Sequence, residues 1–185
     1  MLRTISARRV RSAALGGLTL GMLILAGQAN DAQSLAAIAA TSKSPLVTSR
    51  GAGGVRLGTT VATLHKRHLI GRLRPGCELD PGQRVAPLRA PLNGFAIFSH
   101  PNSRVSSIVL RGSARTARHV GIGSQPGEVT AAYPHATYNP PGSNEPFAEG
   151  FIWVNQIAHP KLTFTVDADT RLVSEISIPS PNFCE

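Results

Sequence analysis

The sequence predicts an α+β fold of two tandem units, each a short helix followed by an antiparallel sheet. Three observations predict it. Val55-Arg56-Leu57-Gly58-Thr59-Thr60 leads into a helical pattern ending near Leu69. Sixty-five residues later, Val120-Gly121-Ile122-Gly123-Ser124-Gln125 leads into another, ending at Tyr133, so that Leu64 and Val129 occupy equivalent positions. Downstream, at an offset of 68, Phe98 matches Val166, and Val105, Ile108 and Leu110 match Val173, Ile176 and Ile178. Third, apolar–polar alternation broken by turn residues follows each helical pattern, which is the period of strands. Two matches in the same order, separated by a three-residue insertion, mark a structural repeat of low identity. The chain then divides into a leader (1–29), a tether (30–54), a first unit (55–115) and a second unit (116–185).

The leader has the organisation of a secretory signal peptide. Arg3, Arg8, Arg9 and Arg11 form a basic start with no acid nearby, and an apolar stretch over residues 13–27 follows. That stretch is shorter than the ~20 residues a spanning helix needs. Gly27-Gln28-Ala29 supplies small residues where signal peptidase reads, placing cleavage after Ala29. A retained N-terminal anchor is the competing reading. Gln28 stands where a lipidated cysteine would have to be, so no lipid anchor is expected. The tether is rich in Ala, Ser, Thr and Gly, and Pro45 with the Gly51–Gly54 run interrupts any longer element.

Each helix has start signals. Gly58 and Gly123 allow an unusual backbone angle at the approach. The hydroxyls of Thr59 and Ser124 are placed to cap. Pro126 suits the first turn, where its missing N–H costs nothing, and Glu128 favours the positive end of the helix dipole. About three turns are expected for each helix, which needs a sheet to bury its apolar face. The strands expected in the first unit are residues 84–88, 95–98 and 105–110, with a turn at Pro101-Asn102-Ser103. Those of the second are residues 151–154, 162–166 and 172–178, with a turn at residues 167–170. Units of 60–70 residues are small for independent stability. Either one continuous sheet or two sheets packed face to face satisfies them.

Composition narrows the function classes. The chain has 185 residues, 42% of them hydrophobic and 16% charged, which excludes wholesale disorder. Its formal charge of +9 points at first to a nucleic-acid or membrane-surface binder. Cleavage after Ala29 removes four arginines and leaves 15 basic and 10 acidic residues, a net of +5. Export also argues against nucleic acid as a partner. Cys77 and Cys184 both survive cleavage, and an even count in an oxidising compartment predicts a Cys77–Cys184 disulfide. Closing a loop of roughly 100 residues contributes about 4–5 kcal/mol by the chain-entropy model.

Residues 116–134, Thr-Ala-Arg-His-Val-Gly-Ile-Gly-Ser-Gln-Pro-Gly-Glu-Val-Thr-Ala-Ala-Tyr-Pro, resemble the helix-leading motif of small exported bacterial proteins of the β-lactamase-inhibitory-protein-like fold. The small outer-membrane lipoproteins of the barrel-assembly machinery share that fold. The hairpin from Phe164 to Ile178 is similar to theirs as well. The resemblance covers about residues 55–183. It implies a tandem fold of that type and a general binding role, and it carries no catalytic residue.

The chain carries few motifs with chemistry of their own. There is no His-Glu-x-x-His motif and no Gly-x-Ser-x-Gly elbow. Gly121-Ile122-Gly123 lacks the dinucleotide fingerprint. His65 and His68 share a helix face but have Lys66 and Arg67 between them and no acidic third ligand, so they read as solvated residues. Asp167 and Asp169 read as a hairpin turn, not a calcium loop. His100, His119, His135 and His159 read as loop residues. No metal, cofactor or catalytic residue is expected. Two surfaces remain. Arg111, Arg115 and Arg118, beside His119, are candidates for anion binding, with a solvated connector as the alternative. Residues 133–147 form a proline-stiffened loop carrying Tyr138 and Phe147 near Trp153, and these three aromatics are candidates for partner binding, with an ordinary long crossover whose aromatics cover the sheet as the alternative. The expected function is a periplasmic or secreted, non-enzymatic module that binds a protein partner. An electrostatic binder of anionic envelope lipid or polysaccharide and an unrecognised hydrolase are the alternatives.

Overall fold

The computed structural model divides the chain into Met1–Thr41 and Ser42–Glu185. It describes residues 45–181, apart from 79, 102, 144–146 and 157. The expected signal peptide with its cleavage point, Lys43 and Cys184 all lie outside the described residues. In chain order the elements are β1 (Leu46–Thr48), β2 (Gly51–Ala52), β3 (Val55–Arg56), α1 (Val61–Lys66), β4 (Arg74–Pro75), β5 (Arg84–Pro87), β6 (Asn93–Ser99) and β7 (Arg104–Arg111). There follow β8 (Arg115–Thr116), α2 (Pro126–Ala132), β9 (Thr137–Asn139), β10 (Gly150–Gln156), β11 (His159–Val166) and β12 (Val173–Ile178).

These elements make a mostly β protein, which corrects the expected α+β fold of two helix-then-antiparallel-sheet units. Among the described residues, twelve strands form an eight-stranded sheet, β4-β5-β6-β7-β12-β11-β10-β9, and a four-stranded sheet, β3-β2-β1-β8. The helices have six and seven residues, under two turns rather than three, and each buries a single residue, Leu64 or Val129. A helix that short cannot form a layer. The reason there are not two separate sheets is β7, which pairs antiparallel with β12 through Ile108↔Ile178, Val109↔Ser177 and Leu110↔Ile176.

The long strands fall where alternation puts them. Residues 95–98, 105–110, 151–154 and 162–166 all lie within observed strands, and the expected 84–88 and 172–178 each differ from β5 and β12 by one end residue. Six strands of two or three residues had no sequence signature. Two of them, β1 and β2, lie within the expected tether of residues 30–54, and β3 follows directly after it. Val47 pairs with Ala52, and Ala52 with Val55, and all three are buried in the core. Burial of those side chains compensates the entropy of ordering a Gly-rich segment. β8 completes the small sheet in parallel with β1.

Both helix approaches are clamped to the strands at the centre of the large sheet in the same way. Gly58 N–H donates to the Val105 carbonyl at 2.8 Å, and Val105 N–H donates to that of Thr59 at 2.9 Å. Gly123 N–H donates to the Val173 carbonyl at 2.8 Å, and Val173 N–H donates to that of Ser124 at 3.0 Å. The two glycines have φ of +78° and +83°. The caps lie one residue later than expected. Thr60 rather than Thr59 accepts the Thr63 N–H. At α2 the Glu128 carboxylate accepts the N–H of Gln125 at 2.9 Å, while the buried Ser124 hydroxyl accepts that of Gly121.

One face of the large sheet holds the core. Ala96, Phe98, Ile108, Leu110, Ile152, Phe164, Ile176 and Ile178 pack in one cluster with Leu64 of α1, Val129 of α2 and Val55 of the small sheet. The opposite face is also partly covered. Val109, Thr163 and Ser177 are fully buried there. The chain leaving β12 turns onto that face, where the Thr163 hydroxyl donates to the Pro179 carbonyl and the Ser107 hydroxyl donates to that of Ser180.

A pair of glycine substitutions tests the clamp. A Cβ at either Gly123 or Gly127 meets nothing within 4 Å, but only Gly123 has positive φ. Gly123→Ala should destabilise by about 1–2 kcal/mol. Gly127→Ala, in α2, should stabilise by about 0.4–1 kcal/mol. Urea denaturation of each variant measures both signs.

Candidate functional site

β10 divides its side chains between the two faces of the sheet. Ile152 and Val154 join the core cluster, and Phe151 and Trp153 project from the other face. Phe151 is buried, whereas Trp153 and Phe147 are half-buried. The ring centroids of Phe151 and Trp153 are 5.3 Å apart, with a tilt of 35°. Phe147 meets Phe151 edge-on, at 6.1 Å and 88°. These separations and angles are those aromatic pairs favour. The loop that delivers Phe147 folds back on β10. Gly142 N–H donates to the Ala148 carbonyl, and Pro141 lies so close to Gly150 that a Cβ there would sit 2.5 Å from its ring.

Of the three aromatics expected to act together, the structure joins Phe147 and Trp153 through Phe151. Tyr138 is elsewhere. It pairs with Ile152, takes the same face as that residue and packs on the core. Phe151, not among the expected site residues, has a local signal for its place: its i, i+2 spacing from Trp153 marks the two as sharing a face. β11 floors the patch with Thr165 opposite Phe151 and Thr163 opposite Trp153. The Thr165 hydroxyl oxygen is buried without a hydrogen-bond partner.

The three candidate arginines each have a separate partner. The Arg111 guanidinium meets the Glu175 carboxylate at 3.1 Å and lies 5.6 Å from the Phe95 ring centre. Arg115 donates to the His119 carbonyl at 2.9 Å. Arg118 donates to the Ala132 carbonyl at the end of α2 and stands 4.9 Å over the Tyr133 ring. Structure therefore gives each arginine work inside the fold: a cross-strand ion pair, a turn bond and a helix-end bond.

A small cleft of about 140 Å³ lies beside Arg118, Tyr133, His135, Val154 and Asn155. Asn155, at φ +86°, follows the register shift in the β10–β11 pairing. Sites for drug-sized ligands are roughly 300–1,000 Å³. This volume suits one side chain or a small ion.

The remaining titratable groups are dispersed. Among the described residues, no group of three or more His, Cys, Asp or Glu could hold a metal ion. His65, His68, His100, His119, His135 and His159 are all exposed, and His159 opens β11 instead of lying in a loop. Asp167 belongs to the β11–β12 turn, where its carboxylate accepts the N–H and the hydroxyl of Thr170, both at 2.8 Å. Among the described residues, no helix is long and apolar enough to cross a membrane. No family model, curated protein or solved structure matches the chain.

The turn carries a titration signature. The backbone N–H of Thr170, then its hydroxyl, hold the Asp167 carboxyl below the usual aspartate value. A carboxyl lowered by folding stabilises the fold above its unfolded pKa, and that contribution is lost as pH falls through the folded one. An NMR titration should find Asp167 below ordinary aspartates. Thr170→Val should move it part of the way back, because the backbone donor remains.

Proposed function

We propose that the chain is an exported, non-enzymatic interaction module that binds a protein partner in the cell envelope or outside the cell. The observation that carries this reading is the Phe147–Phe151–Trp153 series on the sheet face opposite the helices. Large rings held by strand pairing and by a proline-bounded loop lose little conformational freedom on binding, and such residues dominate protein interfaces. The series projects from a sheet face and so suits another protein's surface. The resemblance of residues 116–134 to exported binding proteins and the basic–apolar leader support the same reading.

A Cys77–Cys184 disulfide belongs to this proposal. Cys77, 5% exposed, lies just beyond β4 at one edge of the large sheet. From Pro179 to Ser180, the hydrogen-bond partners of the tail pass from β11 to β7, toward that edge. Intact mass spectrometry without reductant should find the mature chain lighter by two hydrogens than its reduced form. Two free thiols would overturn the pairing.

The partner is tested by capture from the envelope of the exporting organism. The mature chain should retain a specific protein at both low and physiological salt. Trp153→Ala and Phe147→Ala should each weaken that capture by tenfold or more, the loss expected for hot-spot residues costing about 2 kcal/mol. Lys161→Gln, an exposed change on β11, should leave it intact. Failure to recover a specific protein, or equal recovery by the aromatic variants, overturns the reading.

A further inference from the structure

Charge is segregated between the two halves of the large sheet. Residues 45–115 hold eleven Arg and Lys against two acids, Glu78 and Asp80, whereas residues 116–185 hold three against seven. The first half supplies β4 to β7, and the second supplies β9 to β12. The basic excess is not spread evenly within its half. Lys66 and Arg67 end α1, and Arg89 lies in the β5–β6 turn, with its backbone N–H donated to the Leu69 carbonyl at 3.0 Å. Ile70 bridges to Leu88, and Gly71 N–H donates to the Pro87 carbonyl, so Arg72 runs beside β5. Arg74 and Arg84 follow on the β4–β5 pair. All six cations are exposed, and among the described residues none has an ion-pair partner.

Along the edge these positions follow one another, with Arg74 beside Val85 and Arg84 beside Pro75 on alternate faces of the strand pair. β4 is the edge strand of the large sheet. Arg84 to Arg89 alone spans roughly 17 Å at the rise of a strand, and the end of α1 extends the series further. The two acids sit in the loop beyond its far end, where Asp80 accepts the Gly82 N–H. Residues 45–94 contain no Phe, Tyr or Trp. The edge therefore offers a row of cations with no aromatic platform for stacked bases.

We propose that this edge binds a linear acidic polysaccharide, through carboxylates or phosphates carried at intervals along the polymer. A row of like charges at close spacing is self-repelling, and a linear polyanion relieves the repulsion along its whole length while releasing counterions. A bilayer presents its charge as a plane and matches a row less well. The preference for polysaccharide over nucleic acid rests on the exported location proposed above. The surface is distinct from the aromatic patch, because β10 lies next to the opposite edge of the sheet. One molecule can then hold an envelope polymer at one edge and a protein at the other.

Four probes test this with the purified mature chain: polygalacturonate, neutral dextran, a single-stranded DNA oligonucleotide, and vesicles containing phosphatidylglycerol. Polygalacturonate should bind, dextran should not, and binding should fall steeply as salt rises. Arg67→Glu/Arg89→Glu and the milder Arg72→Gln/Arg89→Gln should each weaken polygalacturonate binding by about tenfold or more. Lys161→Gln/Arg171→Gln, in the acidic half, should leave it within about twofold. Circular dichroism confirms folding, and the glutamine pair serves if the glutamate pair does not fold. Trp153→Ala should bind polygalacturonate normally, which separates this site from the partner surface. Equal or better binding to DNA or to vesicles at matched charge overturns the polysaccharide assignment. No binding to polygalacturonate, or equal loss in the control pair, overturns the site.

Discussion

The pairing of β7 with β12 is the contact on which the rest of the structure depends. Three residues of each strand, Ile108 to Leu110 and Ile176 to Ile178, join two runs of four strands into one sheet. Without that seam, each run would present a long apolar edge strand to water, a template for aggregation. The seam also fixes what is attached to it. Val105 is the second residue of β7 and Val173 opens β12, and each is clamped by two backbone bonds to the approach of a helix. Both helices, and the core residues Leu64 and Val129 that they deliver, are therefore positioned relative to one central pair of strands. The Arg111–Glu175 ion pair lies across the same seam. With side-chain exposures of 47% and 16%, it contributes little beyond registering the two strands.

A continuous sheet has two faces and two edges, and this chain uses them differently. One face is consumed by the core. The other is covered near its centre by the chain leaving β12, and it carries the stacked rings of β10 toward one side. At that side lie the acid-rich second half and the short strand β9. At the other lie β4, β5 and six cations with no ion-pair partner among the described residues. Neither edge strand exceeds three residues. Pro75 and the flanking arginines protect one edge, and the Pro140-Pro141 pair ends the other soon after β9. These are the usual devices by which a sheet avoids pairing with its neighbours. The charge that protects one edge is also the charge available to a polyanion.

The expected arginine site illustrates how proximity in sequence misleads. Arg111, Arg115 and Arg118 are near one another along the chain, yet β7, β8 and the end of α2 carry them to three different partners. The cations that do form a row are separated by as many as 23 residues, from Lys66 to Arg89, and strand pairing brings them to one edge. Tyr138 misleads in the same way. It shares a loop with Phe147, but pairing with Ile152 sends it to the core face.

Some features of this protein followed from local chemistry alone. The five long strands announce themselves because alternation at a period of two is a property of adjacent residues. The turns, the glycines at positive φ and the Pro126 helix start are equally local. Other features required the fold. Strands of two or three residues have too little pattern to read, and β1 to β3 form only because Val47, Ala52 and Val55 find the core. The helices stop short, and the fold is mostly β, because each helix contributes one buried side chain to a core that the sheet builds. The order of strands, the joining of Phe147 to Trp153 through Phe151, and the row of cations along β4 and β5 all depend on which backbone groups pair across long separations. Hydrogen-bond partners between strands are chosen by tertiary packing, and no window along the sequence contains both members of those pairs.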